Sequence, residues 1–241
     1  MLACADDLGG ELVIVNFGGD RDRLAAQLPA DGPVRVADAG PQAWFNKARA
    51  QNLGAAAARH DVLFFCDCDI LLDRIAVGAL ARAVAGEDGV FGTLAGVRES
   101  VRNARGAGTV VCFGYELRIR IAIGRELRIV DNEEDAEAGT RQAPGLLFVR
   151  RRDFLSVDGY NGRLHGWGWE DQDMIARLTL GAGLRRIARG HAIHISHDDA
   201  ARIAHYPVAD RWESRDRMFR QALANYDRDD FRGTFTADAS D

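Results

Sequence analysis

The chain has 241 residues, 47% hydrophobic and 28% charged, with a formal net charge of −5. That size suits one large α/β domain, the acidic balance argues against nucleic acid or an anionic membrane as main partner, and no apolar run approaches the ~18 residues of a membrane span. The first ten residues carry Asp6 and Asp7 without a basic start, unlike a signal peptide, and the four cysteines show no disulfide framework; a reducing cytoplasm is the expected compartment.

Glu11–Phe17 reads as a buried first strand ended by Gly18 and Gly19. Asp20 is placed to cap the next helix, whose inner face would carry Leu24, Ala25 and Leu28. Val34–Ala37 is a second strand. The alanine-rich stretch 44–60 predicts a helix packed through Phe45, Ala48, Leu53 and Ala56 or Ala57.

A strand follows over 62–72, interrupted by Asp67 and Asp69 where its apolar run should end. Alternation would point both carboxylates one way and Cys66 and Cys68 the other. Asp-x-Asp recurs at Asp20/Asp22, Asp171/Asp173 and Asp227/Asp229, but only Asp67/Asp69 follows an apolar strand. Two charges at the carboxyl end of a buried strand call for a cation, so the pair is expected to form half of a divalent-metal site; a solvated acidic turn is the plainer alternative.

Asp73 opens a helix to about Val84, and Val90–Thr93 is another strand. This strand–helix alternation predicts an α/β fold built on a single doubly wound, mostly parallel sheet. The middle, 95–141, is marked by Arg98, Arg102 and Arg105, with a helix expected over 115–123 and an exposed charged loop over 131–137. Leu146–Val149 is a strand, 151–157 a short helix and 158–162 a turn. Gly166–Asp173 leads into a helix carrying Met174, Ile175, Leu178 and Leu180, Ile187–Ala188 and Ala192–His197 read as strands, Arg211–Tyr226 as an amphipathic helix, and the end from Arg232 as loose.

Chemistry concentrates at Asp67/Asp69, at Glu170/Asp171 in a tryptophan–glycine turn, and at His191/His194/His197. Helix capping explains Glu170 and Asp171 without function, yet capping needs no aromatic platform, and Trp167 and Trp169 suit a stacked sugar ring. Oxygen ligands with an imidazole suit manganese or magnesium better than zinc.

Four segments, in order, resemble the GT-A fold glycosyltransferases of the β-1,4-galactosyltransferase-like group and related bacterial family 2 enzymes. They are Ala39–Gly54, Phe65–Asp69, Pro144–Asp173 with its Gly166-Trp167-Gly168-Trp169-Glu170-Asp171 core, and His194–His197. The resemblance implies Mn²⁺ (or Mg²⁺) on Asp69 and His197, with His194 where the group usually has methionine. It implies a nucleotide-sugar site of Phe17, Phe45, Lys47, Asp67 and Trp167, in which Phe45 and Lys47 contact uridine and phosphates and Asp67 holds ribose or metal-bound water. Glu170 would fix hydroxyls and Asp171 would be the general base of a one-step inverting transfer from a UDP-sugar to a saccharide, small-molecule or lipid-linked acceptor. Trp169 replaces a glycine, Gln172 an acidic residue and Lys47 an arginine of the group. One domain over 1–241 is expected, with a nucleotide-binding half at about 1–95, a metal and acceptor half at about 142–210, and a C-terminal helix and tail at 211–241; the animal members' membrane anchor is not expected. Residues 198–210, directly after His197, are expected to form a lid. A sugar nucleotidyltransferase, for which Gly18–Arg21 is a faint phosphate loop, and a non-catalytic sugar-binding module stay open as rivals.

Overall fold

The computed structural model describes residues 1–29, 31–101, 109–110, 112–135 and 138–240. In chain order the elements are α1 (Leu2–Asp7), β1 (Leu12–Asn16), α2 (Arg21–Ala25), β2 (Val34–Asp38), α3 (Lys47–Ala57), β3 (Val62–Phe65), β4 (Ile70–Leu71), α4 (Arg74–Gly86), β5 (Val90–Thr93) and β6 (Gly96–Glu99). Then come β7 (Cys112–Arg120), β8 (Glu126–Asp135), β9 (Thr140–Arg141), β10 (Leu147–Arg150), α5 (Arg151–Ser156), α6 (Glu170–Ala176), a π-helical turn (Arg177–Gly181), β11 (Arg185–Ala188), β12 (His191–His194), α7 (Asp199–Ile203), α8 (Arg211–Tyr226) and α9 (Phe235–Asp238).

Helix starts follow the capping chemistry written in the sequence. Asp20 accepts from Arg23 N at 3.0 Å, as expected, and Asn46, Asp73, Asp198 and Asp210 cap α3, α4, α7 and α8 in the same way. Leu24 and Leu28 are half-buried while Ala25 is exposed. The α3 helix begins later than its composition implies, so Trp44 and Phe45 precede it. Its buried face is Ala48, Ala50, Asn52 and Ala55, rather than the stripe through Leu53.

The fold is mixed α/β, but among the described residues the strands form three sheets in place of one mostly parallel sheet. β1 and β2 pair in parallel; β11-β5-β10-β3 form a second sheet; β4-β12-β6-β9-β8-β7 form a third. Among the described residues, parallel pairing is confined to β1/β2, β5/β11 and β6/β12. The cause lies in β10, whose Leu147, Phe148 and Val149 are buried on both faces and enter antiparallel between β3 and β5. In the long middle segment, Tyr115, Leu117, Ile119 and Ile121 alternate with Glu116, Arg118 and Arg120. That is strand periodicity, and 115–120 lie in β7 where a helix was expected. Its partner β8 takes in 131–135, expected as loop; Ala136 and Glu137, like Arg102 and Arg105, lie outside the described residues.

One core joins β3 and β10 to α5, α6 and α8, and a second lies beneath α4 against α1. The end from Arg232, expected to be loose, is docked: Phe235 meets Phe154 edge-on, and Asp238 accepts from Asn52 Nδ2 at 2.6 Å. Just before it, Phe231 is buried and stacks on Tyr226. Among the described residues no helix is long and apolar enough to cross a membrane.

Candidate active site

Strand β3 stops at Phe65, and Cys66–Asp69 turn away from it. The two aspartates therefore do not share a strand face: each reaches a different charge system. Asp67 Oδ1 lies 2.9 Å from Lys47 Nζ, whereas Asp69 Oδ2 lies 3.2 Å from His194 Nε2 and 3.1 Å from His197 Nε2. The intervening turn also leaves Cys68 exposed and Cys66 only part-buried, both as free thiols.

Asp69, His194 and His197 each direct one ligand atom into a space where these atoms lie within 4.8 Å of one another. Asp69 Oδ1 is buried with no partner from another residue, and a carboxylate with two imidazoles is a donor set that fits a divalent transition cation. The Asp69 carboxyl is pushed up by burial, but hydrogen bonds to both histidines and the charge of His194 hold it well below its ordinary value. Of the three histidines singled out, His191 is exposed on the opposite face of β12 and takes no part.

Glu170 and Asp171 open α6, where the helix dipole favours acidic groups. Here the favour is offset by burial. Glu170 is 7% exposed and its Oε2 has no partner from another residue. Burial, then the adjacent Asp171 charge, raises the Glu170 carboxyl. Burial raises Asp171 as well, and Lys47 works against that rise. Lys47 Nζ sits 2.8 Å from Asp171 Oδ2 and 3.9 Å from Glu170 Oε1, so one ammonium bridges three carboxylates. Burial opposes its charge, yet Asp171, Asp67 and Glu170 together keep the ammonium well above its ordinary value. Gly145 passes so close to Asp171 that any Cβ there would overlap the carboxylate, which explains a glycine just before β10.

The tryptophans separate in role. Trp169 holds φ at +70°, a left-handed conformation costly for a side-chain-bearing residue, and its ring is buried against Phe219. It packs into the core and also borders the cleft beside Trp167. Trp167 is half-buried on the cleft wall, with the Arg211 guanidinium 5.3 Å from its ring centre. Across the cleft, Phe45 meets Phe17 and Tyr206 edge-on, each at 5.5 Å between ring centres. Phe17, Phe45, Lys47, Asp67, Asp69, Trp167, Glu170, Asp171, His194 and His197 all line one cleft of about 1480 Å³. That exceeds the ~300–1,000 Å³ of a usual small-molecule pocket.

Sequence reasoning missed the support behind this site. Glu99, at the end of β6, contacts His194 Nδ1 at 2.7 Å and binds Arg141 at 2.6 Å. Strand alternation in 95–141 was the available signal, and it was lost among charged residues. Tyr206 was missed because it lies in the expected lid, whose backbone reaches Phe45 through Phe45 N donating to His205 O at 2.8 Å.

Residues 134–198 match the family described as the N-terminal domain of galactosyltransferase. No curated protein matches the chain. Among solved structures, the crystal structure of GalNAc-T7 with UDP, GalNAc and Mn²⁺ is similar at 16% identity and a TM-score of 0.55, over 89% of this chain and 41% of that one. The chain thus spans about two fifths of the length of that relative. It carries the GT-A glycosyltransferase fold, with a galactosyltransferase-like segment that contains Glu170, Asp171, His194 and His197.

Proposed function

We propose that the chain is a metal-dependent glycosyltransferase. In this reading it moves a hexose or N-acetylhexosamine from a UDP-sugar to an acceptor hydroxyl with inversion, giving a β-glycoside. The observation that carries the proposal is the meeting, in one cleft, of the Asp69/His194/His197 set with the buried acids Glu170 and Asp171. UDP and Mn²⁺ in the similar structure support the donor and metal classes.

Phe17 and Phe45 flank the uracil, Asp67 holds the ribose, and the apolar face of Trp167 lines the sugar. Asp69, His194 and His197 would hold the Mn²⁺ (or Mg²⁺). The chemistry such an ion would supply when bound is neutralisation of the charge developing on the departing diphosphate. Asp171 takes the proton from the acceptor oxygen as that oxygen attacks the anomeric carbon opposite the leaving group. Lys47 keeps Asp171 ionised in its buried position. Glu170, with a raised carboxyl, donates to or accepts from the sugar hydroxyls. Residues about 1–95 serve the donor and about 142–210 the metal and acceptor. The 198–210 segment, anchored at Phe45, orders further over the donor; protease cleavage there that is indifferent to UDP with Mn²⁺ contradicts this part.

The test is UDP release from UDP-galactose, UDP-N-acetylgalactosamine and UDP-glucose in the presence of saccharide acceptors, with ¹H NMR of the product anomer. Metal-dependent release and a β-linked product are expected. An α-linked product contradicts inversion, and no release from any of these donors contradicts the activity.

A further inference from the structure

The metal-facing histidine His194 is held from behind by a buried carboxylate. β6 and β12 run parallel with Glu99 and His194 in register, which places their side chains side by side on one face. Glu99 is 5% and His194 3% exposed. Glu99 Oε2 lies 2.7 Å from His194 Nδ1 and accepts the Ser196 hydroxyl at 2.8 Å; Glu99 Oε1 accepts from Arg141 Nε at 2.6 Å. The register explains Arg141 as well: on β9 it pairs with Val97 of β6, which shares a face with Glu99 two residues on.

Both oxygens of Glu99 thus accept from fixed donors, and a carboxylate in that position requires His194 Nδ1 to be the protonated nitrogen. His194 Nε2 is then the nitrogen left to face the cation space: it lies 3.2 Å from Asp69 Oδ2, to which it donates while protonated, and a bound cation would take the place of that proton. Histidines that bind metals commonly donate their other N–H to a carboxylate in this way, which fixes tautomer and ring orientation. We propose that Glu99 is a positioning residue of the metal centre, setting the tautomer and aim of His194, with Arg141 and Ser196 holding the carboxylate in place. This rests on the metal-site reading above and extends it to residues outside the cation-facing set.

The test is titration of the full chain with Mn²⁺ alone, followed by EPR of the free ion, for wild type, His194→Ala and Glu99→Gln. Wild type should bind, His194→Ala should bind more weakly, and Glu99→Gln should lose about 10–100-fold in affinity. Wild-type affinity in Glu99→Gln beside a weakened His194→Ala overturns the role of Glu99 alone. Failure of wild type to bind Mn²⁺ overturns the metal site itself, and with it this inference. A role only in pinning β6 to β12 would lower thermal stability without selecting a tautomer, so a second readout uses the wild-type chain. With Mg²⁺ present, a ¹H–¹⁵N spectrum of ¹⁵N-histidine-labelled protein, with His194 assigned by its loss in His194→Asn, should show the proton on Nδ1. A proton on Nε2 with Nδ1 bare overturns the proposal whatever the variants do.

Discussion

Lys47 Nζ lies 2.8 Å from Asp171 Oδ2, in a setting where the lysine side chain is only 13% exposed. The resemblance assigns this lysine to the donor phosphates; its geometry assigns it first to the carboxylates, since Asp67 and Glu170 complete its surroundings. Lys47→Met leaves buried carboxylates without their counter-charge, which should cost about 3–5 kcal/mol of stability. It should also raise the Asp171 carboxyl further, moving the acid limb of kcat/KM to higher pH. The pH–rate profile checks this. An unmoved limb together with lost UDP affinity would give Lys47 to the diphosphate instead.

Asp171→Asn should lower turnover by about 10²–10⁴-fold, the usual worth of a general base, while UDP affinity stays close to wild type. Steady-state kinetics and a UDP titration on the same preparation separate the two effects. Near-normal turnover would remove Asp171 from that role.

Glu170 should make the stability of the fold depend on pH. Its carboxyl is raised in the folded chain by burial and by Asp171, so the folded state keeps a proton that the unfolded state has already lost. Stability should therefore fall as pH rises from the ordinary carboxyl range through the raised one, and level off above it. Glu170→Gln removes this titration and should flatten the dependence of Tm on pH over that window. An equal slope in both proteins would mean that the Glu170 charge is compensated.

Phe231→Ala should destabilise the chain by about 3–5 kcal/mol, because the ring is buried and stacked on Tyr226 at 5.4 Å. Urea unfolding measures the loss. A neutral effect would mean that the Phe231 ring adds little to the packing around Tyr226.

What the sequence made legible were features with local causes. Capping residues such as Asp20 and Asp73, the apolar runs of β1, β3 and β10, and the extent of α8 are all written within a few neighbours. The candidate site residues were legible through a resemblance of four ordered segments, and the chain does bring them to one cleft. Long-range pairing was not legible. Nothing near Leu147 says that its strand enters antiparallel between β3 and β5, and nothing near Glu99 says that His194 lies beside it. The divergence of Asp67 and Asp69 was hidden for a related reason. Strand alternation holds only while pairing continues, and pairing ends at Phe65. The docked tail was obscured by its polar residues, although Phe231 and Phe235 were its anchors in plain view.

The most direct measurement is isothermal titration of UDP into the purified chain, once with Mn²⁺ and once with EDTA. The account predicts micromolar binding with Mn²⁺ that disappears in EDTA, because Asp69, His194 and His197 would hold the cation the diphosphate needs. Equal binding in the two conditions, or none in either, would contradict a metal-dependent UDP-sugar site.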